Sequence, residues 1–389
     1  MKAISVCDIA ASRSRVQFEA ALAEYRSQSI EGPALFLSRQ RVRQNLRQLS
    51  AALPGVAIHY AVKSNDHAAV LRAVIEEGHR FDISSVLEIE RVTKAGADPA
   101  DLLHTHPIKS LSEISGAIER GVTTFVIDNS DEIKKFIPYR NQASLLVRFR
   151  AGSAEESADM VQCNLSYKFG CGTDEIISLV QEIISSGIGY AGLAFHVGSQ
   201  CHSVEPYLTA VNIASDKITE LVTAGIETGL LDIGGGFPVE YTEQIPPIDE
   251  FCRPLRRALD SLLPKSLRVI CEPGRFISAT AATLLVNVIG KSCRSGKRWY
   301  YVDDGVYGTF SGRIYDHCSY QTLTNRNSSW LPSVLAGPTC DSIDIIYKSI
   351  LLPPLDIGDT LVFPALGAYS TVSASQFNSL TQAKTIVID

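Results

Sequence analysis

Eight strand-like runs alternating with helical segments predict a (β/α)8 barrel, and a change of texture after Arg275 predicts an all-β domain behind it. The runs are residues 56–63, 80–85, 102–107, 123–128, 144–150, 190–198, 230–236 and 268–274. Helical periodicity fills the gaps at 68–77, 86–95, 111–119, 131–137, 174–185, 205–224 and 248–263. A doubly wound open sheet would show the same alternation. The barrel is favoured because polar residues and glycines gather just after the strand ends: Lys63, Asp82, Arg148, His196, Gly234 to Gly236 and Glu272 to Arg275. Barrel enzymes build their sites on that rim.

Taken in order, residues 14–28 carry Val16, Phe18, Leu22 and Tyr25 among charges, the pattern of a modest amphipathic helix. Pro33 to Leu37 reads as a short strand, and Ser38 is placed to cap a helix with Val42, Leu46, Leu49 and Leu53 on one face. A long polar loop at 151–167 interrupts the later rhythm and has the length and polarity of a lid or of a disordered stretch. Beyond Arg275, runs at 282–289, 298–302, 333–336, 360–363 and 385–388 are separated by turns with little helix.

Composition sets the class. The apolar fraction of 45% and charged fraction of 20% are those of a soluble enzyme. A net charge of -6 without a basic tract argues against nucleic acid as a partner. Nine cysteines lie scattered without CxxC pairs or zinc-site spacing, which points to free thiols in a reducing compartment. Residues 1–11 lack a signal-peptide pattern and no run reaches transmembrane length, so the expectation is a cytoplasmic protein without a membrane partner.

The chemistry centres on His59-Tyr60-Ala61-Val62-Lys63-Ser64-Asn65. A lysine closing a buried strand is out of keeping with its surroundings. It can be a snorkelling side chain. In a pocket at the strand end, however, desolvation frees the amine as a nucleophile.

Six further motifs stand with it in order: Phe195-His196-Val197-Gly198-Ser199, Asp232-Ile233-Gly234-Gly235-Gly236, Glu272-Pro273-Gly274-Arg275, Asp304-Gly305-Val306-Tyr307-Gly308, Gly337-Pro338-Thr339-Cys340-Asp341 and Gly367-Ala368-Tyr369. Together they closely resemble the fold-type III, pyridoxal-phosphate-dependent decarboxylases of basic amino acids, from about Ser38 to the C-terminus. The resemblance implies an alanine racemase-like barrel at 37–277. It assigns 1–36 and 278–389 to a β-domain carrying substrate and dimer-interface residues. It also implies a homodimer whose two active sites are shared between subunits.

Under the resemblance Lys63 is the lysine that holds the cofactor covalently, and Glu272 is the carboxylate on the pyridine nitrogen. An anion there keeps that nitrogen protonated and the ring electron-accepting. Gly234, Gly235, Gly236, Gly274, Ser199, Arg275 and Tyr369 match phosphate ligands; glycine amides and an arginine suit a dianion. His196 matches the ring-stacking histidine, and Asp82, Glu88 and Arg148 match further positions around the cofactor. Those three could equally form a structural ion-pair network. Cys340 matches the cysteine that returns a proton to the substrate carbon. Tyr307, Tyr315, Asp316 and Asp341 match the substrate side, where carboxylates suit a distal ammonium. Related diaminopimelate decarboxylases usually have Cys-Glu at Cys340-Asp341, which argues against a distal carboxylate on the substrate. In two places the chain departs from the family: Ser64, where alanine or cysteine is common, and residues 321–332, which match nothing.

The resulting expectation is a lyase converting L-ornithine or L-lysine to its diamine. A decorated diamino acid from a specialised pathway, such as a siderophore precursor, would use the same residues. A non-catalytic regulatory homologue is the reading from another class.

Overall fold

A computed structural model describes residues 30–150, 161–163, 168–326 and 328–389, with Ala23 and Tyr25. The rest of segment 14–28 lies outside the described residues, as does most of the loop 151–167. The described elements run β1 (Ala34–Leu37), α1 (Arg39–Ala52), β2 (Val56–Ala61), α2 (Ala68–Glu76), β3 (Arg80–Ile83), α3 (Val86–Ala95), β4 (Leu103–His104), α4 (Leu111–Glu119) and β5 (Thr124–Ile127). They continue with α5 (Ser130–Phe136), β6 (Ser144–Phe149), β7 (Val161–Cys163), α6 (Ile176–Ser185), β8 (Gly189–Phe195), β9 (Ser199–Cys201), α7 (Glu205–Thr223), β10 (Leu230–Asp232), α8 (Ile248–Leu262) and β11 (Arg268–Cys271). After the short α9 (Arg275–Ser278) come β12 (Ala282–Arg294), β13 (Lys297–Val302), α10 (Gly312–Tyr315), β14 (Leu331–Ala336), β15 (Ile345–Leu352), β16 (Thr360–Pro364) and β17 (Lys384–Val387).

Two compact units result. One holds Gln40–Glu240 and Gln244–Ser278; the other holds the described residues up to Arg39, Tyr241–Glu243 and Ala279–Asp389. In the first, strands β10-β11-β2-β3-β4-β5-β6-β8 close into a barrel, every neighbouring pair parallel. The open-sheet alternative is thereby excluded. Leu103, Val126, Leu146, Ala194, Leu230 and Ile270 form one buried cluster drawn from six of the strands. Such a layer of branched side chains fills the barrel, so that its chemistry is left to the ends. Gly192 is needed for closure: at φ +156° a Cβ there would run into the backbone carbonyl of Leu230 on the neighbouring strand.

The second unit is a seven-stranded sheet in the order β15-β14-β13-β12-β1-β17, with β16 also paired to β12. Its core cluster includes Tyr25, Ala34, Phe36, Leu285, Val362 and Ile386. The sequence reading missed β15, because Ile345–Leu352 places Tyr347, Lys348 and Ser349 among its apolar residues without strict alternation. The unmatched segment 321–332 is tied down: Leu323 bridges Val362. Arg326 forks onto Asp359 at 2.7 and 2.8 Å and reaches Asp356 at 3.1 Å. Among the described residues no helix is long and apolar enough to cross a membrane.

Two histidines make the barrel unit sensitive to acid. His59 and His104 are buried, and among the described residues neither ring nitrogen of either has a partner within hydrogen-bond distance. Burial pulls His59 down from 6.5 to about 4 and His104 to about 3. Both stay neutral in the fold while the unfolded chain takes up protons below about pH 6.5. Their contribution to stability is therefore present above that pH and lost as pH falls towards 4 and then 3, at about 1.4 kcal/mol per unit and histidine. We expect the urea midpoint to drop between pH 7 and pH 5, and to drop less in His104→Leu. An equal pH dependence in the variant would remove His104 from this account.

Candidate active site

The barrel places its polar side chains where strands end. Lys63 follows β2 in a single 3-10 turn, Val62–Ser64, and is not the strand's last residue as the apolar run suggested. The turn forms because the chain is caught from two sides. The Tyr60 hydroxyl donates to the Asn65 carbonyl at 3.0 Å, and the buried Ser64 hydroxyl meets that of Ser278 at 2.5 Å. The second contact accounts for a serine at position 64. The lysine is also less buried than expected: its side chain is 38% exposed, and Nζ donates to a fully buried Asp82 Oδ2 at 2.9 Å. The other Asp82 oxygen accepts the Thr105 hydroxyl.

Carboxyls accumulate around this pair. Burial pushes Asp82 up to about 7, with Glu272 adding to the rise and Lys63 opposing it. Burial likewise pushes Glu88 up to about 7, although the Ser84 N–H donates to it at 2.6 Å. Asp232 rises to about 6 by burial, and Glu272 well above the carboxylate range by burial and the Asp232 charge. Asp232 Oδ1 accepts the Gly234 N–H at 2.9 Å, while Oδ2 has no partner within hydrogen-bond distance among the described residues. Arg148, over the Phe169 ring at 5.5 Å, neutralises only part of this set. Carboxyls raised together lack counter-charge, and a bound cation would relieve them.

His196 follows β8, with Nδ1 accepting the Gly198 N–H at 3.0 Å. Burial, then Arg148 and Lys63, holds it well below its ordinary range. The ring is thus neutral with its proton on Nε2, a flat surface without charge. Beside it the chain after β10 turns through Gly234 and Gly236, both in the left-handed region at φ +67° and +106°. A Cβ on Gly235 would run into the Glu272 carbonyl, and one on Gly236 into that of Gly198. The glycines are therefore required by close chain approach as well as by any ligand. The N–H groups of Gly235 and Gly236 donate to no described residue. Arg275 reaches Ser199 Oγ from Nη2 at 3.0 Å and from Nε at 3.3 Å. Gly274 serves the adjoining turn, its carbonyl accepting from the Ile277 and Ser278 amides at 3.1 Å. Open amides, a guanidinium and a hydroxyl in one place form an anion cradle.

The second unit assembles its own set. The Tyr307 hydroxyl donates to Asp341 Oδ2 at 2.5 Å, and its ring stacks on Phe377 with centroids 4.4 Å apart. This bond holds the Asp341 carboxyl below the usual range and pushes Tyr307 up to about 12. Cys340 is exposed, its N–H bonded to Asn378 Oδ1 at 3.1 Å. Tyr315 ends α10 at 67% exposure, with Asp316 next to it. Tyr369 sits at φ +51°, a strained non-glycine position fixed by two serines, Ser311 and Ser373, that donate to its carbonyl.

Sequence reasoning missed Thr105 and gave Asp232 no role. Thr105 had no signal in any motif. Asp232 did: a carboxylate ending the apolar strand Leu230–Asp232, with only Ile233 between it and three glycines.

A parallel barrel with a lysine–carboxylate pair, a neutral histidine and an anion cradle at one rim defines an enzyme built for a phosphorylated, cationic cofactor. Residues 39–279 match the family described as pyridoxal-dependent decarboxylase, pyridoxal binding domain. The chain belongs to that family. It is 32% identical over 361 residues to the lysine/ornithine decarboxylase of Selenomonas ruminantium, covering 92% of this chain and 90% of that one. It is 34% identical to antizyme inhibitor 2 of Xenopus laevis, covering 88% of this chain and 77% of that one. Among solved structures it resembles the Vibrio vulnificus lysine/ornithine decarboxylase complexed with putrescine, at 40% identity and TM-score 0.88, covering 95% of this chain and 98% of that one. The residues fit the cofactor. The buried Asp232 and Glu272 carboxyls, raised together, would suit a protonated pyridine, and the Gly235 and Gly236 amides with Arg275 and Ser199 would suit a phosphate.

Proposed function

We propose that the chain decarboxylates a basic amino acid, L-lysine or L-ornithine, to the corresponding diamine. The observation that carries this reading is Asp341, an accessible carboxylate kept ionised by the Tyr307 hydroxyl and adjacent to the exposed Cys340 thiol. A fixed anion beside a proton donor suits a substrate with a distal ammonium. The names of the relatives support it, since the Selenomonas and Vibrio proteins are lysine/ornithine decarboxylases.

In this reading Lys63, Asp82, Glu88, Arg148, His196, Ser199, Gly234 to Gly236, Glu272, Gly274, Arg275 and Tyr369 would hold pyridoxal phosphate. When bound, that group supplies a sink for the electron pair left as CO2 departs. Asp82 orients the Lys63 ammonium. His196 offers its neutral face, and Glu272 holds negative charge once a cation relieves its burial. Tyr307, Tyr315, Asp316 and Asp341 place the substrate by its distal ammonium. Cys340 Sγ gives up its proton to the carbon that lost CO2. We propose a homodimer in which Lys63 works with Cys340 of the partner subunit, and a cytoplasmic setting, to which the free cysteines are suited.

Similarity alone does not choose between enzyme and silent homologue, because antizyme inhibitor 2, at 34% identity, falls between the decarboxylases at 32% and 40%. Retention of Lys63, Glu272 and Cys340 favours the enzyme. A substrate panel scored by CO2 release, spanning ornithine, lysine, arginine, diaminopimelate and N-acylated diamino acids, tests the reading. Turnover of only the acylated compounds would replace it with a decorated substrate. Asp341→Ala is expected to raise KM for lysine and ornithine by roughly tenfold or more. It should lower kcat as well if the distal contact orients the breaking bond. Unchanged kinetics would end the assignment of Asp341 to the ammonium.

A further inference from the structure

Lys109, in the loop between β4 and α4, belongs to none of the sequence motifs, yet its side chain is 1% exposed. Its Nζ donates to the carbonyls of His106 at 2.9 Å, Pro107 at 2.9 Å and Val126 at 2.7 Å. Three ammonium protons thus meet three carbonyls. Behind them stands Glu132, whose Oε2 lies 3.8 Å from Nζ and accepts the Lys109 N–H at 3.2 Å. Lys135 closes the cluster by donating to the Lys109 carbonyl at 2.8 Å and pairing with the second Glu132 oxygen.

Burying an ammonium is costly unless every proton is used and a counter-charge is near. A core filler of similar length would be a methionine or leucine. What the ammonium adds is a fixed path for residues 105–109, pinned to the end of β5 and the start of α5. That stretch reaches the rim by two arms. The Thr105 hydroxyl bonds Asp82, which bonds Lys63. The His106 ring meets the edge of Phe169 at 5.6 Å, and Phe169 underlies the Arg148 guanidinium at 5.5 Å.

We propose that Lys109 is a positioning residue: it sets the loop so that Thr105 holds Asp82 and His106 holds Phe169, and through them orients Lys63 and Arg148. The inference rests on the reading of Lys63, Asp82 and Arg148 as cofactor residues. Arginine should not substitute, because its planar fork cannot serve three carbonyls grouped around one nitrogen.

A double-mutant cycle tests this with Lys109→Arg, Thr105→Val and the double variant. The readouts are pyridoxal phosphate needed to half-reconstitute the apoprotein, KM and kcat for lysine, and melting temperature. Each single variant is expected to need about tenfold more cofactor and to lose kcat by about 10-fold to 100-fold. The double variant should be no worse than Lys109→Arg, since one link is broken twice. A merely structural lysine would lower the melting temperature and leave cofactor retention and kcat in place. That result in folded Lys109→Arg overturns the proposal, and so do additive losses in the double variant. If Lys109→Arg does not fold, Glu132→Gln takes its place in the cycle under the same two criteria. A wild-type protein that holds pyridoxal phosphate but turns over no basic amino acid would sink the proposed substrate and leave the cofactor arm of the cycle standing.

Discussion

Lys63→Ala is expected to abolish decarboxylation, lowering turnover by roughly a thousandfold or more, the scale on which loss of a covalent catalytic group is felt. Among the described residues Lys63 is held on a buried carboxylate, Asp82, while Lys109 spends its protons on carbonyls and Lys168 lies over the Phe169 ring. Neither Lys109 nor Lys168 shares the carboxylate contact that holds Lys63. The variant should still fold, because the lysine side chain is 38% exposed and its backbone is held by Tyr60 and Ser64. Its partner would respond: without the ammonium, Asp82 loses the charge that opposes its rise and is protonated over a wider pH range. The measurements are diamine production and the visible absorbance of protein-bound pyridoxal, which borohydride abolishes in the wild type. Near-normal turnover with the band intact would mean that another residue holds the cofactor.

Much of this site was legible in the sequence because strand ends are punctuated. Apolar runs stop at His196, Asp232 and Glu272, whereas Asp82 lies within β3, one residue before its end. The glycine triplet was equally visible, but only the structure separates its two causes. Gly235 faces the Glu272 carbonyl so closely that the fold alone forbids a side chain. What stayed hidden depends on pairing at long range. Thr105 matters through Asp82, 23 residues away. Lys109 looks like a solvated charge beside Ser110 until three carbonyls are seen around it. Strand β15 was lost for a related reason: Lys348 and Ser349 break the alternation that a period-two reading needs, and only its pairing with β14 makes it a strand.

The same distinction between local and distant partners decides the strongest test of a shared site. If Lys63 of one subunit serves with Cys340 of the partner subunit, Lys63→Ala and Cys340→Ala homodimers should each produce little diamine. Mixed under conditions that allow subunit exchange, they form heterodimers with two composite sites, one carrying both lesions and one carrying neither. With equal amounts and random exchange about half of the dimers are mixed, each with a single intact site, by the symmetry of an isologous interface. Diamine formation should then return to roughly a quarter of the wild-type rate. Neither substitution is expected to impair folding, since Cys340 is exposed and Lys63 is partly so. Diamine is the product to follow, because a Cys340 variant that loses CO2 without returning the proton can still consume substrate. Exchange is shown separately, with differently tagged subunits. Demonstrated exchange without recovery would place Lys63 and Cys340 in the same site from one chain, and the exposed thiol beside Asp341 would then have to act within its own subunit.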